Sequence, residues 1–228
     1  GLELQAFSLK ENKLLWKATI RTPLTDIASL QNTIALGIQH SLTIEPEGSG
    51  RPVFIKHETE NVEANRLYLI GRYHWGKRSV AGLNEAVRFF NEAIGRDPKF
   101  ALAYTGLADC YALLQFYDAL PASNGYQRAR ENALKALELD NSLAEAHASL
   151  AYVKFYYDRD HRGAEASFRR AIDLNPSYAT AHHWLAMTLS AMRRHGEAIA
   201  EIEEAKRLDP SSAIIKSAGG MIYAYARR

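Results

Sequence analysis

The spacing of apolar positions changes once along the chain. Leu2, Leu4 and Ala6 alternate with Glu3, Gln5 and Phe7, and Leu14, Trp16, Ala18 and Ile20 alternate with Leu15, Lys17, Thr19 and Arg21. Alternation places successive side chains on opposite faces of a strand, so two strands are predicted, joined through Lys10, Glu11, Asn12 and Lys13 as a β-hairpin. After Pro23 the period lengthens, and Ile27, Leu30, Ile34, Ile38 and Leu42 fall on one helical face. Residues 43–57 hold Pro46, Gly48, Ser49, Gly50 and Pro52 and read as a linker. A hairpin with one helix is marginal alone, so this amino-terminal α/β piece needs a partner.

From residue 61 onward the pattern is helical and self-similar. Four segments end alike: Ala93 to Asp97-Pro98, Ala136 to Asp140-Asn141, Ala171 to Asn175-Pro176, and Ala205 to Asp209-Pro210. Seven positions before each of those alanines stands another, Ala86, Ala129, Ala164 and Ala198, with Phe90, Ala133, Phe168 or Ile202 in between. Upstream of each lies one more small residue: Gly71, Ala108, Ala151 or Ala186. Small residues let two helices approach closely and larger apolar ones fill the gaps. A helix ends where Asp or Asn precedes Pro, because that position disfavours the α region.

This pattern resembles the tetratricopeptide repeat, two antiparallel helices with a period of about 34 residues. The resemblance implies a mainly α chain: an α-solenoid, a right-handed superhelix of helix pairs, with repeats at about 64–100, 101–143, 144–178 and 179–212 and a half repeat at 213–228. Against the standard length, the first unit carries about three extra residues near Gly76-Lys77-Arg78-Ser79. The second carries about nine over 115–126, read as a loop around Pro121, and the third about one near Asp158-Arg159-Asp160.

Tyr68-Leu69-Ile70-Gly71-Arg72-Tyr73-His74-Trp75 and Ala101-Leu102-Ala103-Tyr104-Thr105-Gly106-Leu107-Ala108-Asp109 resemble one bacterial family in particular. There a TolB-like α/β domain precedes the repeats, and both follow a winged-helix DNA-binding, nucleotide cyclase or protein kinase domain. Leu15-Trp16, Asp26-Ile27 and Gln31 are similar to the end of the TolB-like domain. Residues 1–45 then correspond to its carboxy-terminal part, 46–60 to a linker and 61–228 to the array. The chain is expected to be a piece of a longer protein, Gly1 being a cloning remnant. The resemblance implies the sensory or assembly part of a bacterial signalling or transcription regulator, cytoplasmic or periplasmic.

In such an array the first helix of each pair lines a concave groove. Carrying the groove places over gives Tyr68, Arg72 and Trp75; Leu102, Thr105, Asp109 and Ala112; Glu145, Ala148, Tyr152, Phe155 and the adjacent Tyr156; and Thr180, His183, Met187 and Ser190. The basic clamp that some relatives use for a carboxy-terminal carboxylate is missing, since those places hold Tyr68, Arg72, Gly106, Glu145 and Ser149. The expected partner is a protein or peptide segment with large apolar anchors. Packing of Tyr152, Phe155 and Tyr156 between repeats is the competing account.

Composition narrows the field. Among 228 residues the formal net charge is +2, which lacks the basic excess of a nucleic-acid binder. The single cysteine, Cys110, excludes an internal disulfide and a cysteine metal cluster. No run of about 18 apolar residues predicts a membrane span. His182 and His183 are adjacent and point to different helix faces, and neither they nor His147 and His161 form a ligand set, so no metal or cofactor is expected. Asp109 beside Cys110 discourages a thiolate nucleophile, and no catalytic triad, phosphate loop or carboxylate pair emerges, so no enzyme is expected. Two alternatives stay open: a homo-oligomerisation module, suggested by Ile214, Ile215, Met221, Ile222 and Tyr225 on a final helix without a partner helix, and a small-ligand or enzymatic site in the groove.

Overall fold

The structure, a computed structural model, describes the backbone of residues 2–8 and 13–20 and the whole of 59–120 and 124–227. Strands β1 (Leu2–Ser8) and β2 (Lys13–Ile20) pair antiparallel, from Leu2 opposite Ile20 to Ser8 opposite Lys13, with one register shift between Ala6 and Phe7. The helix expected over 27–42 and nearly all of the linker lie outside the described residues.

The helices follow as pairs. These are α1 (Val62–Gly76) with α2 (Val80–Arg96), and α3 (Ala101–Phe116) with α4 (Asn124–Leu139). Next come α5 (Ala144–Val153) with α6 (His161–Leu174), α7 (Ala179–Ala191) with α8 (His195–Leu208), and the unpaired α9 (Ala213–Ala226). Each helix packs on its sequence neighbour, and the first helices also touch each other, α1 on α3, α3 on α5, α5 on α7 and α7 on α9. First helices thus make an inner layer and second helices an outer one.

Local chemistry sets the boundaries. Asn61, Ser79, Asp160 and Ser212 cap α1, α2, α6 and α9 by accepting the amides of Ala64, Gly82, Gly163 and Ile215. Where one pair gives way to the next, Asp97, Asp140, Asn175 and Asp209 each accept the amide two residues on, from Lys99, Ser142, Ser177 and Ser211, at 2.9–3.2 Å. The acidic or amide residue is therefore active in the turn itself, as an Asx turn, and does not merely precede a proline. Between the two helices of each pair stands one left-handed residue: Arg78, Asp118, Arg159 or Arg193, with φ of 50, 55, 58 and 61°.

The extra residue of the third unit does not lengthen the turn. α5 runs on into a π-helical turn over Lys154–Asp158, which absorbs one added residue by widening the helix. In the second unit, Asn124 and Gly125 belong to α4 and not to the loop, and the Gly125 amide donates to Gln115 Oε1 at 3.0 Å.

Small residues do what close packing demands. Ala86, Ala129, Ala164 and Ala198 are wholly buried, as are Ala93, Ala136, Ala171 and Ala205. The fully buried Phe90 of α2 fills the space over two glycines: a Cβ on Gly71 of α1 or Gly106 of α3 would lie 2.6 Å from its ring. One side chain of the outer layer thereby locks two inner helices together.

Candidate functional site

The inner layer is more tightly filled than an open groove. Thr105, Asp109, Ala112 and Tyr152 are at most 4% exposed, and Trp75 and His183 are 7% and 6% exposed. Tyr68, Arg72, Glu145, Phe155, Tyr156 and Met187 are half-buried. The cause is the contact between successive first helices, which turns inward-facing positions into helix–helix core.

Asp109 shows the effect. Its carboxylate accepts the Ser149 hydroxyl from α5 at 2.5 Å and lies 3.4 Å from Arg72 Nη1 of α1, so three successive first helices share one buried polar cluster. Burial pushes the Asp109 carboxyl up, and the Arg72 guanidinium and the Ser149 hydroxyl offset part of that rise. Burial likewise pushes the Cys110 thiol far up, with Asp109 adding to it, so this sulfur stays protonated.

The aromatic stripe is partly core. Tyr152 packs at a tilt on Trp184 at 4.7 Å and on Tyr156 at 4.4 Å between ring centres, and Tyr156 meets Phe155 at 4.8 Å and Phe116 at 5.3 Å. These rings leave only a void of about 10 Å³ among themselves. Tyr152 is therefore a structural side chain joining α5 to α7, the competing account for that residue.

Two larger cavities collect six of the candidates: Phe155, Met187 and Ser190 in one, Trp75, Thr180 and His183 in the other. One, of about 450 Å³, is bounded by Phe155, Met187, Ser190, Ala191, Arg193, His195 and Tyr225. It lies where the last turns of α5, α7 and α9 come together, and the π-helical turn carries Phe155 to its wall. Ser190 Oγ and His195 Nδ1 are buried there without a hydrogen-bond partner. Buried polar atoms are normally satisfied, so two unsatisfied ones in residues lining the same cavity are an exception. The sequence signalled Phe155, Met187 and Ser190 but not His195, which opens a second helix, nor Tyr225 as a wall of this space.

The other cavity, of about 520 Å³, lies between the end of α1 (Trp75, Gly76) with Lys77 and Arg78 just beyond it, Thr180 and His183 of α7, and residues 209–217. It brings the first repeat face to face with the fourth and fifth, a meeting that no local spacing reveals. Burial, and next the Arg78 charge, push His183 down to about 4, so its imidazole is neutral at pH 7. His182, on the neighbouring face, bonds Glu201 Oε2 through Nδ1 at 2.7 Å. No cluster of His, Cys, Asp and Glu suited to a metal occurs among the described residues.

Comparison with known proteins agrees with this geometry. Residues 154–213 match the family model of the tetratricopeptide repeat. The chain is similar to the transcriptional regulator HilA of Salmonella typhimurium, 24% identical over 156 residues, which are 68% of this chain and 28% of HilA. It is similar also to the human protein O-mannosyl-transferase TMTC3, 34% identical over 128 residues, 55% of this chain and 12% of TMTC3. The chain thus spans under a third of either relative. Among solved structures, a thermophilic TPR protein of Thermus thermophilus superposes with a TM-score of 0.57 at 17% identity, covering 88% of this chain and 97% of that one. With paired helices stacked through their first members, the repeated alanine spacing and the family match in agreement, residues 154–213 are tetratricopeptide repeat and the described helices share the fold of such repeat arrays.

Proposed function

We propose that this chain is a protein-interaction scaffold that receives a peptide segment of a partner on the inner face of its repeats. The anchor site is the cavity walled by Phe155, Met187 and Tyr225. The observation that carries this reading is the pair of buried, unpartnered polar atoms, Ser190 Oγ and His195 Nδ1, in residues lining a mainly apolar cavity of about 450 Å³. An apolar side chain fills such a space, and the adjoining peptide group supplies one donor and one acceptor to the two orphans. Among the earlier candidates, Phe155 and Met187 act directly, Tyr156 supports Phe155, and Tyr152 holds the wall. Tyr68 and Glu145 remain half-buried positions along the same inner layer.

In the cell this scaffold serves as the sensory or assembly part of a bacterial signalling or transcription regulator. The TolB-like and winged-helix resemblance and the similarity to the regulator HilA support that role. Among the described residues no helix is long and apolar enough to cross a membrane. The compartment, cytoplasm or periplasm, follows from the output domain to which the array belongs.

A random-peptide display selected on the array tests the reading. Selected peptides should share an apolar anchor and lose about tenfold to a hundredfold in affinity on a Met187→Ala/Tyr225→Ala variant, the ~1–3 kcal/mol of a truncated hot spot. Peptides that bind this variant as tightly as the parent would sink it. Self-association is the second reading, favoured by α9, where Ile214, Met221, Tyr223 and Tyr225 are 36–51% exposed. Sedimentation showing only monomer at micromolar concentration removes it.

A further inference from the structure

We propose that the cavity between α1 and α9 binds a small organic phosphate, its phosphoryl group held at Arg78 and the first turn of α9 and its organic part against Trp75. The site differs from the peptide anchor cavity and does not depend on it.

Arg78 is the starting point. Its guanidinium lies 3.6 Å from the centre of the Trp75 ring, in a half-buried setting, yet makes no hydrogen bond or ion pair with any described residue. A guanidinium carries five donors in a fixed fork; this one feels the Asp109 charge but touches no carboxylate, so its donors are open to an anion. Arg72 also lies on the Trp75 ring, at 4.1 Å, but its charge already meets Asp109. The left-handed turn, with φ of 50° at Arg78, carries that residue off the end of α1 and onto the cavity wall.

The rest of the wall offers donors. Trp75 is only 7% exposed, and its Nε1–H has no partner. His183, 6% exposed, makes no hydrogen bond with a described residue and is neutral, keeping one N–H to give. Opposite them stands the first turn of the 14-residue α9, where Ser212 caps the Ile215 amide and the Ala213 and Ile214 amides are left to face an anion. Lys77 adds a second cation at the rim. The one carboxylate on the wall, Asp209, takes the Ser211 amide and hydroxyl and the Ser212 amide on its Oδ1, against the two cations Arg78 and Lys77 on the same wall. The cavity is rich in donors and short of acceptors, so its ligand supplies acceptors. A phosphoryl group has three such oxygens and a carboxylate two.

Size decides the remainder of the ligand. About 520 Å³ falls in the range of small-molecule sites and far exceeds a bare oxyanion. Trp75, Ile214 and Ile215 furnish an apolar face for an organic body. Because Arg78 lies beyond α1 and the amides open α9, one ligand would tie the first repeat to the fifth and stiffen the array.

The experiment follows the Trp75 indole N–H signal of the full 228-residue chain by NMR, identified through Trp75→Phe. Phenyl phosphate is titrated against benzoate and sodium chloride at matched ionic strength. The expected result is a saturable shift with phenyl phosphate, a weaker one with benzoate and none with chloride. Arg78→Asn, which tolerates the left-handed turn, and Ser217→Glu, a charge added at an exposed wall position, should each weaken binding by about tenfold or more. Display-selected peptides should bind Ser217→Glu as before, which separates this site from the peptide reading. The proposal is overturned if chloride reproduces the shift, if benzoate binds as tightly as phenyl phosphate, or if folded Ser217→Glu binds phenyl phosphate like the parent.

Discussion

Replacing Asp109 by Ala should cost the array about 3 kcal/mol. Removing one partner of a buried ion pair typically costs about 3–5 kcal/mol, because the other charge is left without compensation. Two features of this site place the loss at the low end. The Arg72 side chain is 25% exposed and regains some hydration, and its contact with Asp109 is long at 3.4 Å. Burial already makes the Asp109 charge costly, as its raised pKa shows, so its removal relieves part of that cost. Against this, Ser149, 1% exposed, loses a 2.5 Å hydrogen bond, worth about 1.5–3 kcal/mol to a charged acceptor. The double variant Arg72→Met/Asp109→Leu replaces the pair with apolar volume and should lose under about 1.5 kcal/mol. The cycle should therefore show a coupling of about 2 kcal/mol or more once Arg72→Met and Asp109→Leu are each measured alone. Urea unfolding followed by far-UV circular dichroism is the assay, with equal slopes required across the set. A cost for Asp109→Ala below about 1 kcal/mol, or simple additivity, would show that Asp109 does not tie α1, α3 and α5 together.

Three further outcomes follow from the same structure. Gly106→Ala should destabilise by about 1–3 kcal/mol despite its better helix propensity, because the new methyl meets Phe90 at 2.6 Å. Gly220→Ala, with open space around it in α9, should instead stabilise by about 0.5–1 kcal/mol, and thermal melts of the pair give opposite signs. For His182, burial opposes the charge, but Glu201 and the Pro176 carbonyl outweigh it and raise its pKa above the ordinary 6.5. A raised histidine adds stability below its unfolded pKa and loses it as pH climbs through the folded value. The parent should therefore exceed Glu201→Gln in stability by roughly 0.5–1.5 kcal/mol more at pH 5.5 than at pH 8, and equal differences at the two pH values would refute the pair.

How much of this was legible beforehand depended on range. The small residues at 86, 93 and their equivalents announce the helix pairs because close approach is a local demand, repeated at a fixed spacing. The residues that end each pair, Asp97, Asp140, Asn175 and Asp209, are visible as a motif, but their Asx turns are a matter of side-chain direction that spacing does not convey. The left-handed positions Arg78, Asp118, Arg159 and Arg193 carry no glycine to mark them. The single added residue near Asp158 was detectable as a length, and only the structure shows it as a π-helical turn. Groove places were the least legible. Whether Asp109 or Tyr152 faces open space depends on how closely successive first helices pack, a property of the whole array. Trp75 and His183 share a cavity only because the first repeat comes to face the fourth.

Most directly at stake is whether a partner binds the inner face, beside Tyr225. A photo-crosslinking residue at position 225, 51% exposed on the cavity wall, can be compared with one at Leu134, 50% exposed on the outer-layer helix α4. Irradiated in extract of the organism that makes this protein, the first should give an adduct with a different protein and the second should not. An adduct only from position 134, or only with a second copy of the chain, would contradict partner binding at the inner face.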